Sequence, residues 1–230
     1  KIWKNNRDKY LSSGDVVFCE CELFKKYVHC GNVLYWAIDR ECLPMNPYLS
    51  ENELQFCYLG SINNIIDIPR ITAFLRECSA HKKCTLHIIG DGENKEYFIQ
   101  EVLCVGVNVV DHKEVYDFQR KQEVFDQCNY GFNVMKPSVV VGLTMKSLDY
   151  MCAGLPIINT IKGDTKDFCE EWDIGFNLKK SNIKEVAERV CSESMDVQLQ
   201  RRKNIQNLYN TYFTTKKFNA TLDEALNRIF

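Results

Sequence analysis

The sequence has no apolar run approaching the ~20 residues that span a bilayer, and KIWKNNRDKY at its start has no signal-peptide core. It also has little net charge. A balance of −2 at pH 7 excludes whole-protein attraction to nucleic acid or to an anionic membrane, while local basic patches remain open. Twelve cysteines are present but no CxxC spacing, and the four histidines (His29, His81, His87, His112) form no zinc-type set with them. The nearest approach to a metal signature is Cys19-Glu-Cys21, and structural zinc is not expected. Cys57, Cys84, Cys104 and Cys152 sit in or beside apolar runs, where free cysteine behaves as a small buried hydrophobe. These absences predict a reduced, cytosolic protein without a metal. There is no internal repeat and no low-complexity segment.

What is present is the composition of a soluble globular protein, with 45% hydrophobic and 26% charged residues among 230. That length allows one large domain, or one domain and part of another. From residue 54 onward short apolar runs alternate with helical segments. LQFCYLG (54–60), CTLHIIG (84–90), VNVVD (107–111), YGFNVM (130–135) and PIINT (156–160) read as strands. Helices are expected at 67–80, 92–106, 113–128 and 145–154, and three more within the last fifty residues. Strand–helix alternation of this kind implies right-handed crossovers and an α/β, doubly wound, Rossmann-like parallel sheet, with a ligand site at the carboxyl ends of its strands.

Residues 1–52 break the pattern. GDVVFCE (14–20) and VLYWAID (33–39) read as strands around a short helix, CELFKKYV (21–28), and the proline-containing RECLPMNPYLSENE as a linker. A strand–helix–strand piece is too small to bury a core of its own. Residues 1–52 are therefore expected to be the tail and linker of an N-terminal domain that begins outside this sequence.

Several features converge at the strand ends: Gly60-Ser61, Gly90-Asp91-Gly92 and Asp111-His112 follow the first three strands, and VVVGLTMKSLDYMCAGLPII follows the fourth. Glycines let the backbone approach an anion, and free N–H groups at a helix N-terminus favour phosphate. Lys146 and Asp149 by themselves read equally as a solvated pair three residues apart on a helix.

The segments FCYLGS, LHIIGDGENKEYF, VNVVDH and KSLDYMCAGLPII together resemble the C-terminal, nucleotide-sugar-binding domain of retaining glycosyltransferases of family 4, which have the GT-B architecture. The resemblance implies a donor-binding domain over residues 53–215 and a final helix, 216–230, packing back toward the N-terminal domain. It puts Asp149 where the family has the glutamate that binds the ribose hydroxyls, and Lys146 at the diphosphate as the catalytic cation. Gly60, Ser61, Gly142, Leu143 and Thr144 fall at the diphosphate loops. Gly90, Asp91, Gly92 and His112 are further donor-binding candidates at the strand ends.

Two departures accompany the match. The glutamate that many members carry eight residues before the ribose-binding acid is Val141 here, and the loop after LGS reads SINNIID without the family's Arg and Lys. Both shift phosphate binding onto Lys146 and backbone amides. The implied reaction is metal-independent transfer of a sugar, with retention, from a nucleotide-diphosphate sugar to an acceptor glycan or lipid-linked glycan, in cell-surface polysaccharide or glycoconjugate synthesis. The nucleotide sugar is a substrate, so no cofactor is implied. Nucleic acid is not an expected partner. Any contact with the inner face of a membrane would come through the N-terminal domain. A nucleotide-sugar 2-epimerase of the same architecture and a non-catalytic Rossmann-like binding module remain as alternatives.

Overall fold

The structure, a computed structural model, describes residues 2–11, 13–28 and 31–228. Six strands form one parallel sheet: β3 (Glu53–Leu59), β4 (Lys83–Ile89), β5 (Asn108–Asp111), β6 (Tyr130–Asn133), β7 (Ile157–Asn159) and β8 (Gly175–Asn177). Small pieces precede it, namely α1 (Ile2–Leu11), the parallel pair β1 (Phe18–Cys19) and β2 (Asn32–Val33), and α2 (Glu22–Val28) between them. The sheet order is β5-β4-β3-β6-β7-β8. Successive strands are added outward on one side as far as β5, and then on the other from β6. The chain therefore reverses direction between β3 and β6, and a crevice opens there at the carboxyl ends.

The helices that cross between strands cover both faces. Beneath one lie α3 (Ile68–Ser79), α4 (Lys95–Cys104) and α8 (Ile183–Ser192). Asp67 starts α3 by accepting the N–H of Arg70 at 3.3 Å, and Pro69 sits in the first turn, where its missing N–H costs nothing. Ile68, Ile71, Phe74, Leu75 and Cys78 then recur at helical spacing and are all buried. Phe74 meets Phe56 and Phe132 with ring centroids 5.7 and 6.0 Å apart, a contact whose truncation to alanine typically costs about 3–5 kcal/mol.

Over the other face lie α5 (Phe118–Gln127), α6 (Met145–Ala153), α7 (Asp164–Glu171) and α9 (Met195–Tyr212), with α10 (Thr215–Leu226) following. Tyr150 locks α6 in place. Its ring lies flat on Gly131, where an added Cβ would come within 2.8 Å of it, and its hydroxyl accepts the N–H of Leu59 at 2.9 Å. One side chain thus ties α6 to the ends of β3 and β6.

Three features differ from the sequence reading. The sheet has a sixth strand, β8: three residues with a glycine are too few to display a strand period. Residues 2–11 form a helix that polar composition conceals. Of VLYWAID only the start pairs as β2; the rest runs extended to an isolated bridge between Ile38 and Thr214.

The N-terminal segment is fastened to the large sheet's helices rather than to a core of its own. Asp164 accepts the N–H groups of Glu22 (2.8 Å) and Leu23 (3.0 Å), capping α2 from the start of α7, and also the Tyr35 hydroxyl (2.8 Å). The Tyr209 hydroxyl donates to the carbonyls of Ile38 (3.2 Å) and Arg40 (3.1 Å), and Tyr35 packs on Phe168, Tyr212 and Phe213. The described cysteines are free thiols. Among the described residues no helix is long and apolar enough to cross a membrane.

Candidate functional site

At the crevice, the ends of β3 and β4 and the start of α6 enclose a cavity of about 420 Å³. Gly60, Ser61, Gly90, Asp91, Thr144, Lys146 and Asp149 all line it. The two glycine loops touch each other. Gly60 donates its N–H to Ile89 O at 2.8 Å, and a Cβ on Gly90 would lie 2.2 Å from Gly60 O, so the floor is bare backbone. Asp91 Oδ1 accepts the N–H of Gly92 at 2.8 Å, turning that carboxylate onto its own loop.

Lys146 extends from the first turn of α6 over the same floor. Its Nζ donates to the Tyr58 hydroxyl at 3.1 Å and sits 4.2 Å from the Tyr58 ring centroid. The Tyr58 hydroxyl in turn donates to Ser61 O at 2.8 Å, so strand, loop and helix share one chain of hydrogen bonds. Burial lowers the Lys146 pKa to about 8, with Cys57 acting in the opposite direction. Helices leave their first-turn N–H groups without backbone partners, and those of Met145 and Lys146 belong to residues that line the cavity.

Asp149 lies one helical turn further on. It pairs with Arg40, and its Oδ2 is 3.6 Å from Lys121 Nζ. The Arg40 guanidinium is stacked 3.6 Å from the centroid of Phe118, so a residue of the N-terminal segment and one of α5 jointly hold this carboxylate. An ionised carboxylate offers about four acceptor directions. Two are engaged here, which leaves capacity for a vicinal diol.

Four of the expected residues stand elsewhere. Gly142 is packed against Cys21, Leu23 and Asp164, and its carbonyl accepts the Thr165 N–H at 2.9 Å. Leu143 is buried in the core beneath α6. Gly92 lies against the backbone of Ile62. His112 is engaged with His87 (2.9 Å between ring nitrogens), which meets Gln55 Oε1 at 2.6 Å. Burial pushes His87 down to about 4 and lowers His112 as well, so this chain across three strands is a neutral one at pH 7. Thr144 lines the cavity, but its hydroxyl is occupied as the cap of α6, accepting Ser147 N–H at 3.2 Å and meeting Asn133 Oδ1 at 3.3 Å.

The sequence reading missed Tyr58, Lys121 and Arg40. Tyr58 carried a readable signal, since a polar tip on a buried strand one residue before a Leu-Gly-Ser loop needs a partner. Lys121 and Arg40 carried none, because only the packing of α5 and the N-terminal segment brings them to Asp149. Glu114, Val115 and Tyr116 complete the outer wall.

Residues 53–194 match the family of the group 1 glycosyl transferases. The chain belongs to that family. A search of curated proteins finds no match. Among solved structures, a mutant of TarM from S. aureus, crystallised with fondaparinux, alpha-GlcNAc-glycerol and UDP, is similar with a TM-score of 0.71 and 13% identity, over 100% of this chain and 46% of that one. HepE of Anabaena, in complex with UDP and glucose, is similar at 0.72 and 14% identity, over 98% of this chain and 67% of its own. The lipopolysaccharide outer core galactosyltransferase WaaB is similar at 0.72 and 15%, over 95% and 63%. The chain thus spans about half of TarM and two thirds of the other two. Likeness at this level of identity establishes the fold, that of a GT-B glycosyltransferase domain.

Proposed function

We propose that the cavity between β3, β4 and α6 holds a nucleoside-diphosphate sugar, and that the chain is the donor-binding part of a retaining glycosyltransferase. The observation that carries this reading is the placement of Lys146 and Asp149 on one wall of the cavity, with bare glycine backbone opposite. The crystallisation of structural neighbours with UDP and with UDP-glucose supports it.

In this reading the diphosphate lies over Gly60 and Gly90. Lys146 and the first-turn amides of α6 offset the charge that grows on the nucleotide as the glycosidic bond breaks. Asp149 accepts the two ribose hydroxyls, its remaining lone pairs being aimed by Arg40 and Lys121. The acceptor hydroxyl attacks the anomeric carbon as that carbon's bond to the diphosphate oxygen breaks, and the hydroxyl's proton passes to the departing oxygen, with retention of configuration and without a metal. The acceptor is a glycan or lipid-linked glycan of cell-surface polysaccharide or glycoconjugate synthesis, met on the cytoplasmic side.

Calorimetry with UDP, GDP, ADP and CDP tests the site on wild type, Asp149→Asn and Asp149→Ala. One diphosphate is expected to bind, and to lose roughly ten- to a hundredfold in affinity in both variants, the loss of a hydrogen-bonded charge. Unchanged affinity would remove Asp149 from the ribose role. Binding of none of the four would overturn the assignment of the cavity.

A further inference from the structure

A second cavity, of about 530 Å³, opens at the same edge of the sheet beside the ends of β7 and β8, and shares no residue with the first. Its lining holds Arg70, Lys162, Lys166, Lys179 and Lys180 and no acidic residue. These cations come from four places: the first turn of α3, the loop after β7, the first turn of α7, and the chain just beyond β8. No single amphipathic element produces the cluster; the fold assembles it.

The charges are only partly balanced. Lys166 Nζ pairs with Glu170 at 2.9 Å and lies 3.4 Å from Asp167. Lys162, Lys179 and Lys180 form no ion pair among the described residues. Arg70 is nine-tenths buried. Its Nε is 3.1 Å from Asp67 Oδ2 but lacks the alignment of a hydrogen bond, and its guanidinium makes none among the described residues. The ion pair with Asp67 uses one edge of the guanidinium and leaves its other N–H groups open to the acceptor oxygens of a ligand.

The framework around these cations is rigid. Asn159 is fully buried and donates to Ile161 O and Asn177 Oδ1, both at 2.9 Å, while Asn177 Nδ2 donates to Lys166 O at 3.0 Å. These bonds fix the two loops that carry Lys162 and Lys179 relative to α7. Ordered loops holding unbalanced cations around a near-buried arginine suit a multiply charged anion with several acceptor oxygens.

We infer that this cavity is a second anion site, one that takes a phosphate-bearing group, and above all a diphosphate. Its ability to bind such a group stands on its own residues. Its use, seating the phosphate of an acceptor beside the donor, rests on the transferase reading.

The test is calorimetry with inorganic pyrophosphate at low ionic strength, in the presence of saturating UDP to fill the first cavity. Wild type is compared with the triple variant Lys162→Ala/Lys179→Ala/Lys180→Ala and with Lys146→Ala. The three lysines are exposed, so the triple variant is expected to fold, and a thermal melt checks it. Pyrophosphate is expected to bind beside UDP and to lose about tenfold in affinity in the triple variant, and to be unaffected by Lys146→Ala. Pyrophosphate binding that UDP or Lys146→Ala abolishes, or that the triple variant leaves unchanged, overturns the site. If none of the four nucleoside diphosphates binds, the donor reading falls, while the triple variant still decides the second cavity. Vesicles containing phosphatidic acid separate the sources of the phosphate. Pelleting that the triple variant loses assigns the group to a membrane lipid; pyrophosphate binding without pelleting assigns it to a non-membrane acceptor.

Discussion

Replacing Lys146 with methionine is expected to make the protein more stable and less able to bind its nucleotide. The lysine is only partly exposed, and burial lowers its pKa from the ordinary 10.5 to about 8. That gap is equivalent to about 3 kcal/mol of burial cost when the amine is charged. Methionine keeps the length of the side chain and removes the charge. It forfeits the contact with the Tyr58 ring and the hydrogen bond to its hydroxyl, together about 1–2 kcal/mol. A net gain of about 1–2 kcal/mol at pH 7 remains, which for a chain of this size raises Tm by roughly 2–8 °C. The sign of the pH dependence follows. Below pH 8 the folded and unfolded chains both hold the proton, and the folded one bears the whole cost. Between 8 and 10.5 the folded chain has released it while the unfolded chain has not, so wild type gains stability as pH rises through that window. Urea midpoints of wild type and Lys146→Met, measured from pH 7 to 10, should therefore converge and cross at about pH 9, wild type being the more stable above it. Their difference isolates Lys146, since the other titrating groups are common to both. UDP affinity should fall at least tenfold in the variant. A variant that is less stable at pH 7, or that binds UDP as well as wild type, refutes the reasoning.

Arg40→Ala should weaken UDP about fivefold without unfolding the chain, because Asp149 loses one of the two cations that aim it; tighter binding by calorimetry would mean that Arg40 competes with the ribose instead. Asp164→Ala should cost roughly 2–3 kcal/mol in urea unfolding, because two α2 amides and the Tyr35 hydroxyl lose their acceptor. The same variant should release residues 13–28 to proteolysis while UDP affinity stays within about twofold, since Asp164 does not line the first cavity and Tyr209 still holds Ile38 and Arg40.

How much of this was legible depended on the range of the interactions involved. The strands LQFCYLG and CTLHIIG are buried on both faces, so their largely apolar runs announce them despite Gln55, Thr85 and His87, and the glycines that end them mark where the cavity floor lies. β8 offered no such run. The site divided the same way. Lys146, Asp149 and the glycine loops are local to strand ends and helix starts, and a sequence displays those. Arg40 lies 109 residues from Asp149 and meets it only because Tyr209 and Phe213 hold the extended N-terminal segment against α9. Gly142 misled for a related reason. A glycine before a helix suggests close approach of a phosphate, but here what approaches is Cys21 and Leu23 of the same chain. The second, basic cavity was invisible because its five cations are scattered from 70 to 180 and meet at one point only when the sheet is assembled.

The spacing of Lys146 and Asp149 suits an ordinary pair on a helix surface, and in such a pair each would neutralise the other. They do not meet. Lys146 turns to Tyr58, Asp149 to Arg40 and Lys121, and Tyr150, buried under the same helix, packs against Gly131. Side chains three residues apart share a helix face, so KSLDY sets a cation and an anion on one wall of the cavity, each with its own support. The arrangement gives up a cheap mutual contact and keeps an ammonium whose pKa is depressed by burial, a cost that the fold does not need. A ligand with a negative centre above Lys146 and hydroxyls above Asp149 would recover that cost, and a nucleoside diphosphate carries both. The same logic sets the order of the tests: Lys146→Met should gain stability where Asp149→Ala should lose it, because removing Asp149 strands Arg40 and Lys121 whereas removing Lys146 strands nothing charged. Opposite shifts in Tm, with UDP binding lost in both, are what a ligand-directed pair produces. A shift of the same sign in both variants would return the pair to the ordinary surface of a helix.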